Sequence, residues 1–119
     1  MPKAKLVRFD SVEHQERRPG VVLTSLVDGD TGATQISSGV AEFAAGASAP
    51  MHYHDAEESV IVIEGEGLMV INGEEHIVRP NDAAFISPGA HHSIANHGGQ
   101  PFKISWTYAS IDWSTTPVD

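Results

Sequence analysis

GASAPMHYHDAEESVIVIEG, residues 46–65, sets two histidines one residue apart, with a glutamate four residues after the second and a glycine at each end. Only one kind of backbone can use these residues together. On a helix, residues two apart diverge by about 200°, so His52 and His54 would face opposite ways. On a strand they share a face about 6.7 Å apart. From there two imidazoles can converge on one ion at about 2.0–2.2 Å. Glu58 would lie about 13 Å further on if the strand simply continued, so it can join only if the chain reverses. Asp55-Ala56-Glu57 is a polar reversal, and the β-rich run SVIVIEG follows at once. The pattern therefore predicts strand, turn, strand, with candidate ligands on both sides of the turn. Taken alone, the pair reads equally well as a partly exposed strand end.

The rest of the chain agrees with a β reading. Short runs rich in Val, Ile, Thr and aromatic residues are separated by Gly, Pro, Asn or Asp. Strands are expected at 6–9, 20–27, 36–45, 59–65, 67–71, 74–78, 82–86, 91–96 and 102–110. No window of ten or more residues shows helical apolar spacing. Asn72-Gly73, between LMVI and EEHIV, supplies the two positive φ angles of a type I′ hairpin turn. So many short strands predict a sandwich or barrel. The segment 13–20, EHQERRPG, is expected to be a charged loop with a solvated His14. His76 and His97 are expected to be exposed.

At 119 residues the chain is expected to be one domain, 1–119, large enough for a core of its own. Seven basic and sixteen acidic side chains give a net charge of −9, which repels phosphate backbones and argues against nucleic acid as a partner. The absence of cysteine excludes disulfides and thiolate metal sites. The basic N-terminus lacks the apolar stretch of a signal peptide, and no apolar run approaches the roughly 20 residues of a membrane helix. A cytoplasmic protein without membrane association is expected. Seven histidines are many for this length.

A second cluster, PNDAAFISPGAHHSIAN at 80–96, carries its own turn at Ser87-Pro88-Gly89 and then His91 and His92. Adjacent strand residues face opposite ways, so at most one of the two joins a given inner face. The two clusters together resemble the two motifs of the cupin family. The first motif, G-x5-H-x-H-x3,4-E-x6-G, is met without a gap by Gly46, His52, His54, Glu58 and Gly65. The second, G-x5-P-x-G-x2-H-x3-N, is met by Gly89, His92 and Asn96. Asn81 replaces its first glycine and Ser87 its proline. Asn tolerates the left-handed backbone a glycine would supply, and Pro88 stands one residue along.

The resemblance, covering 46–96 directly, implies an all-β fold, a double-stranded β-helix or jelly-roll barrel. It also implies one divalent metal held by His52, His54, Glu58 and His92. His91 would then point outward, and Asn96 would be structural. A nitrogen–carboxylate set without sulfur suits Mn, Fe, Ni, Co or Zn in the divalent state. Four protein ligands on an octahedral ion leave open positions, as in catalytic sites. Three neutral histidines and one carboxylate leave such a site with a single net positive charge, which favours anionic or chelating small molecules.

Strand alternation puts Ile104, Trp106 and Tyr108 on one face of KISWTYAS, expected to be inward. Met69, Phe85, Trp106 and Tyr108 are the candidate pocket residues, with Phe43 similarly placed. Gly65-Glu66-Gly67 lacks the rest of a dinucleotide-binding pattern, and neither a P-loop nor a nucleophile elbow is present. Three functions stay open: a small metal-dependent enzyme of dioxygenase, isomerase or lyase type acting on a polar or anionic metabolite, a non-catalytic sugar- or metabolite-binding module, or a storage role. A homodimer is expected. The tail, 111–119, carries Trp113, expected to pack over the barrel opening or across a partner.

Overall fold

The computed structural model describes residues 2–118. Eleven strands run in chain order as β1 Gln15–Arg18, β2 Val21–Val27, β3 Ser37–Phe43, β4 Ser48–His54, β5 Glu58–Glu64, β6 Gly67–Ile71, β7 Glu74–Val78, β8 Ala83–Ile86, β9 His92–Asn96, β10 Phe102–Tyr108 and β11 Thr115–Pro117. Two short 3-10 segments, Phe9–Ser11 and Gly29–Thr31, are the helical elements among the described residues. Among the described residues no helix is long and apolar enough to cross a membrane.

The strands form two antiparallel sheets, ordered β1-β2-β3-β10-β5-β8 and β11-β4-β9-β6-β7. The pairing is nested: β6 with β7, β5 with β8, β4 with β9, β3 with β10. Successive pairs fall alternately in one sheet and the other, which is a jelly roll. At the apex, Asn72 and Gly73 have φ of 50° and 83°, as the type I′ turn requires. The side-chain period of two then points alternate residues into the space between the sheets. Phe102, Ile104, Trp106 and Tyr108 of β10 and Ala41 and Phe43 of β3 are buried there, with Val60, Val62, Met69, Ile86 and Ile94.

Four expectations change. Residues 6–9 are not a strand: Leu6 is 71 % exposed, and the chain runs irregularly into the 3-10 turn. The edge position beside β2 belongs instead to β1, which lies inside the segment expected to be a charged loop. Edge strands of this sort are stabilised by backbone pairing and carry charged side chains readily, so composition hides them. The tail likewise contributes β11, paired with β4. His14 is exposed but not merely solvated, since its Nδ1 lies 2.8 Å from Oγ1 of the buried Thr24.

Two glycines of the quoted stretch separate cleanly by environment. Gly46 has φ +81° with open space around a hypothetical Cβ, whereas at Gly65, φ +80°, a Cβ would meet the Pro101 carbonyl oxygen and the Phe102 Cα. Gly46→Ala should therefore cost about 1–2 kcal/mol, the left-handed backbone penalty alone. Gly65→Ala should cost roughly 2–5 kcal/mol, with overpacking added. Urea midpoints at constant slope check both; equal losses would contradict the crowding at Gly65.

Candidate metal centre

β4 carries His52 and His54 on one face, and antiparallel pairing sets His92 of β9 directly opposite His52. The three imidazole rings gather with centroids 4.3–5.1 Å apart. One ligating nitrogen from each lies within 4.8 Å of the others, a cluster able to hold a metal ion. The chain then reverses at residues 55–57 and crosses to the other sheet, where Glu58 opens β5. Glu58 Oε1 is 3.5 Å from Nε2 of both His54 and His92. His54, Glu58 and His92 are 4 %, 6 % and 3 % exposed.

The orientation of each ring is fixed from behind. His52 Nδ1 is 2.6 Å from the Pro50 carbonyl, and His92 Nδ1 is 2.9 Å from the Ala90 carbonyl. His54 Nδ1 faces the Ser114 carbonyl at 3.3 Å and Thr115 Oγ1 at 3.0 Å. A carbonyl only accepts, so each Nδ1 carries the proton and each Nε2 presents its lone pair to the cluster. Burial, with the neighbouring histidines, lowers the pKa of His52. Burial lowers that of His54 also, against the pull of Glu58. Burial would lower His92 too, but Glu58 and the Ala90 carbonyl outweigh it and raise the value. Neutral imidazoles at His52 and His54 are the form that ligates.

A divalent ion fits these residues on one observation above the others. Glu58 Oε1 is buried with no hydrogen-bond partner, since 3.5 Å is too long for one. An unpaired buried carboxylate oxygen is costly, and a cation bound among the imidazoles would satisfy it. Tyr108, directly opposite Glu58 in the β5–β10 pair, sets its hydroxyl 3.1 Å from His54 Nε2. Burial first, and then the Glu58 charge, raises its pKa far above the usual phenol range, so the hydroxyl keeps its proton and donates.

The cluster lines a cavity of about 390 Å³. Its other walls are largely apolar, including Phe43, Met69, Ile94, Trp106, Tyr108 and Trp113. Met69, Trp106 and Tyr108 are thus among the residues that line the cavity. Phe85 does not: it is 66 % exposed on the outer face of β8, because its register opposite Ser59 points it away from the inward Glu58 and Val60. His91 points outward and stacks on Tyr53, while His76 and His97 are exposed. Asn96 Nδ2 donates to the Phe43 and Gln100 carbonyls, tying the loop before β10.

One pair of side chains at the cavity has no counterpart among the expected site residues. Arg17 and Arg18 of β1 reach its lining, helped by a bulge between Glu16 and Arg18 that breaks strict alternation. Trp113 from the tail, expected over the barrel opening or across a partner, lines the cavity and stacks on Tyr108, with centroids 4.2 Å apart at 19°. The available signal was the scarcity of cations in an acidic chain, two of which stand side by side at 17–18.

A jelly roll with histidines of β4 and β9 converging inside it defines the cupin class. Residues 39–108 match the Cupin domain model, and the chain belongs to that family. It is 31 % identical over 102 residues to the tetracenomycin polyketide synthase protein TcmJ of Streptomyces glaucescens, covering 85 % of this chain and 68 % of that one. It is 32 % identical over 75 residues to the dimethylsulfoniopropionate lyase DddW of Ruegeria pomeroyi, covering 62 % and 49 %. Among solved structures, the polyketide cyclase RemF from Streptomyces resistomycificus superposes with a TM-score of 0.85 at 25 % identity, over 98 % of this chain and 87 % of that one.

Adding zinc at about 100 times its Kd should stabilise the protein by about 2.7 kcal/mol. His92→Ala should abolish the shift, which thermal melts with and without zinc would show. An equal shift in the variant would place the ion elsewhere.

Proposed function

We propose that this chain is a metal-dependent enzyme of isomerase or lyase type, ring closure included, acting on an enolisable carbonyl compound. In this reading His52, His54, Glu58 and His92 hold one divalent transition metal. Bound there, the ion would act as a Lewis acid that polarises a carbonyl and stabilises an enolate. The observation that carries the reading is a largely apolar cavity whose polar wall is a ligand cluster with an unpaired carboxylate oxygen.

The remaining roles fall to the chain's own side chains. Phe43, Met69, Ile94 and Trp106 bind the apolar body of the substrate and exclude water. The Tyr108 hydroxyl, against His54 Nε2, is placed to hold a proton beside a developing oxyanion. Arg17 and Arg18 make no ion pair among the described residues, so their guanidinium groups are available to an anionic substituent at the mouth. The polyketide cyclase and lyase among the similar proteins support carbonyl chemistry of this kind.

The test is metal-dependent turnover of a panel of β-polycarbonyl compounds. We expect turnover lost on chelation and in His54→Ala, while the Arg17→Ala/Arg18→Ala double variant raises KM for anionic substrates about tenfold with kcat little changed. Turnover that survives removal of the metal would sink the proposal. A compound that stabilises the protein without ever being converted would favour a binding module instead.

The assembly proposed is a homodimer through the outer face of β5 and β8. Ile61, Ile63 and Phe85 are 44 %, 46 % and 66 % exposed there, and cross-strand pairing sets Ile61 against Ala83 and Ser59 against Phe85. Adjacent exposed apolar side chains on one sheet face mark an interaction surface. Light scattering should give a dimer mass, reduced to the monomer by Ile61→Glu/Phe85→Glu. A wild-type monomer at every concentration would exclude it.

A further inference from the structure

All three imidazoles of the cluster present Nε2 inward because a carbonyl holds Nδ1–H from behind, but the carbonyls come from different places. For His52 and His92 the acceptor lies two residues back in the same run, at Pro50 and Ala90. These two rings are oriented by residues of their own stretch of chain. For His54 the acceptors, the Ser114 carbonyl and the Thr115 hydroxyl, lie 60 and 61 residues further along the chain. Nothing local replaces them.

The segment that brings them is secured at several points. β11 pairs with β4 so that Thr115 faces His54, Thr116 faces Tyr53 and Pro117 faces His52. The Val118 N–H donates to the Met51 carbonyl at 3.0 Å, and the Ser114 N–H donates to Asp55 Oδ1 at 2.8 Å. Trp113 stacks on Tyr108 and meets the His54 ring edge-on at 5.6 Å and 87°. The backbone and both aromatic contacts thus press the segment against the one ligand that needs it.

We infer that Trp113–Pro117 is the positioning element of His54: the Ser114 carbonyl and Thr115 hydroxyl set its tautomer and ring angle, and through them the metal affinity of the whole cluster. Thr115 stands at the cavity lining, but the role assigned to it is exerted through the His54 ring. Its hydroxyl can accept from Nδ1–H, share that proton with the Ser114 carbonyl, and hold the ring against rotation about its χ2 bond. In metal-free protein Tyr108 completes the restraint on the opposite side, its hydroxyl donating to the Nε2 lone pair that a bound ion would take instead. The consequence for affinity rests on the metal reading above; the consequence for the tautomer does not.

Two measurements on the full chain test it. The first is nitrogen–proton NMR of the histidine side chains in metal-free protein. Wild type should show His54 protonated at Nδ1, and Thr115→Val should shift the ring towards a mixture of tautomers, while His52 and His92 stay as they are. The second is zinc affinity by competition with a chromophoric chelator. Outer-sphere partners of metal-bound histidines are typically worth 10–100-fold in affinity, so Thr115→Val should weaken zinc about tenfold and Thr115→Ser should stay within about twofold of wild type. Asp55→Ala, which releases the Ser114 N–H, gives a second variant outside the strand pairing and should weaken zinc in the same direction.

A wild-type His54 protonated at Nε2, or a Thr115→Val protein with unchanged tautomer and zinc affinity, would overturn the inference. So would equal weakening in Thr115→Ser, which would trace the effect to packing rather than to the hydroxyl. Wild-type protein that binds no zinc would defeat the metal reading alone, and the tautomer result would still decide the role of the tail.

Discussion

A carboxylate buried among apolar side chains must be answered by opposite charge or by hydrogen bonds. Glu58 is that group here. One of its oxygens is buried between two imidazoles without a hydrogen bond, and the surrounding structure is arranged about this demand. His54 and His92 approach it from the opposite sheet, and the Tyr108 hydroxyl lies across the β5–β10 pair from it. Each imidazole turns its lone pair to the same point because its other nitrogen is occupied. The cluster is polar, inward-facing and incompletely satisfied, which is what a cation site requires and a purely structural polar core would avoid.

The nested pairing of strands is what makes such a convergence possible from a single short stretch of chain. β4 and β5 are consecutive, yet they belong to different sheets. The turn at 55–57 therefore carries the chain across the interior rather than along one sheet, and it sets Glu58 facing the two histidines that precede it. The partner strand β9 returns alongside β4 because the outer pairs inherit the register set at the Asn72-Gly73 apex. A slip of one residue anywhere in that series would turn His92 outward and His91 inward.

Much of this was legible in the sequence, for physical reasons that differ from residue to residue. His52-x-His54 is readable because period two is a property of the strand alone, and Asn72-Gly73 because its positive φ angles belong to very few residue pairs. Ile104, Trp106 and Tyr108 follow from alternation in the same way. Phe85 misled because SVIVIE and AAFI are apolar on both faces, so composition does not show which side is inward; only the pairing of β5 with β8 decides it. The strands β1 and β11 could not be seen in charged or threonine-rich segments, since what holds them is backbone hydrogen bonding to a neighbour distant in sequence. For the same reason the Ser114 and Thr115 contacts to His54 left no trace in local pattern.

The portion of the chain that matches the family ends at Tyr108 and begins at Gly39. All four residues read here as ligands lie inside it. Arg17 and Arg18, which reach the cavity lining, lie before it, and Trp113 and Thr115, which also line the cavity, and Ser114, whose carbonyl contacts His54, lie after it. On the proposed reading, a substitution in either flank would alter the cavity or the seating of His54 without exchanging a single ligand.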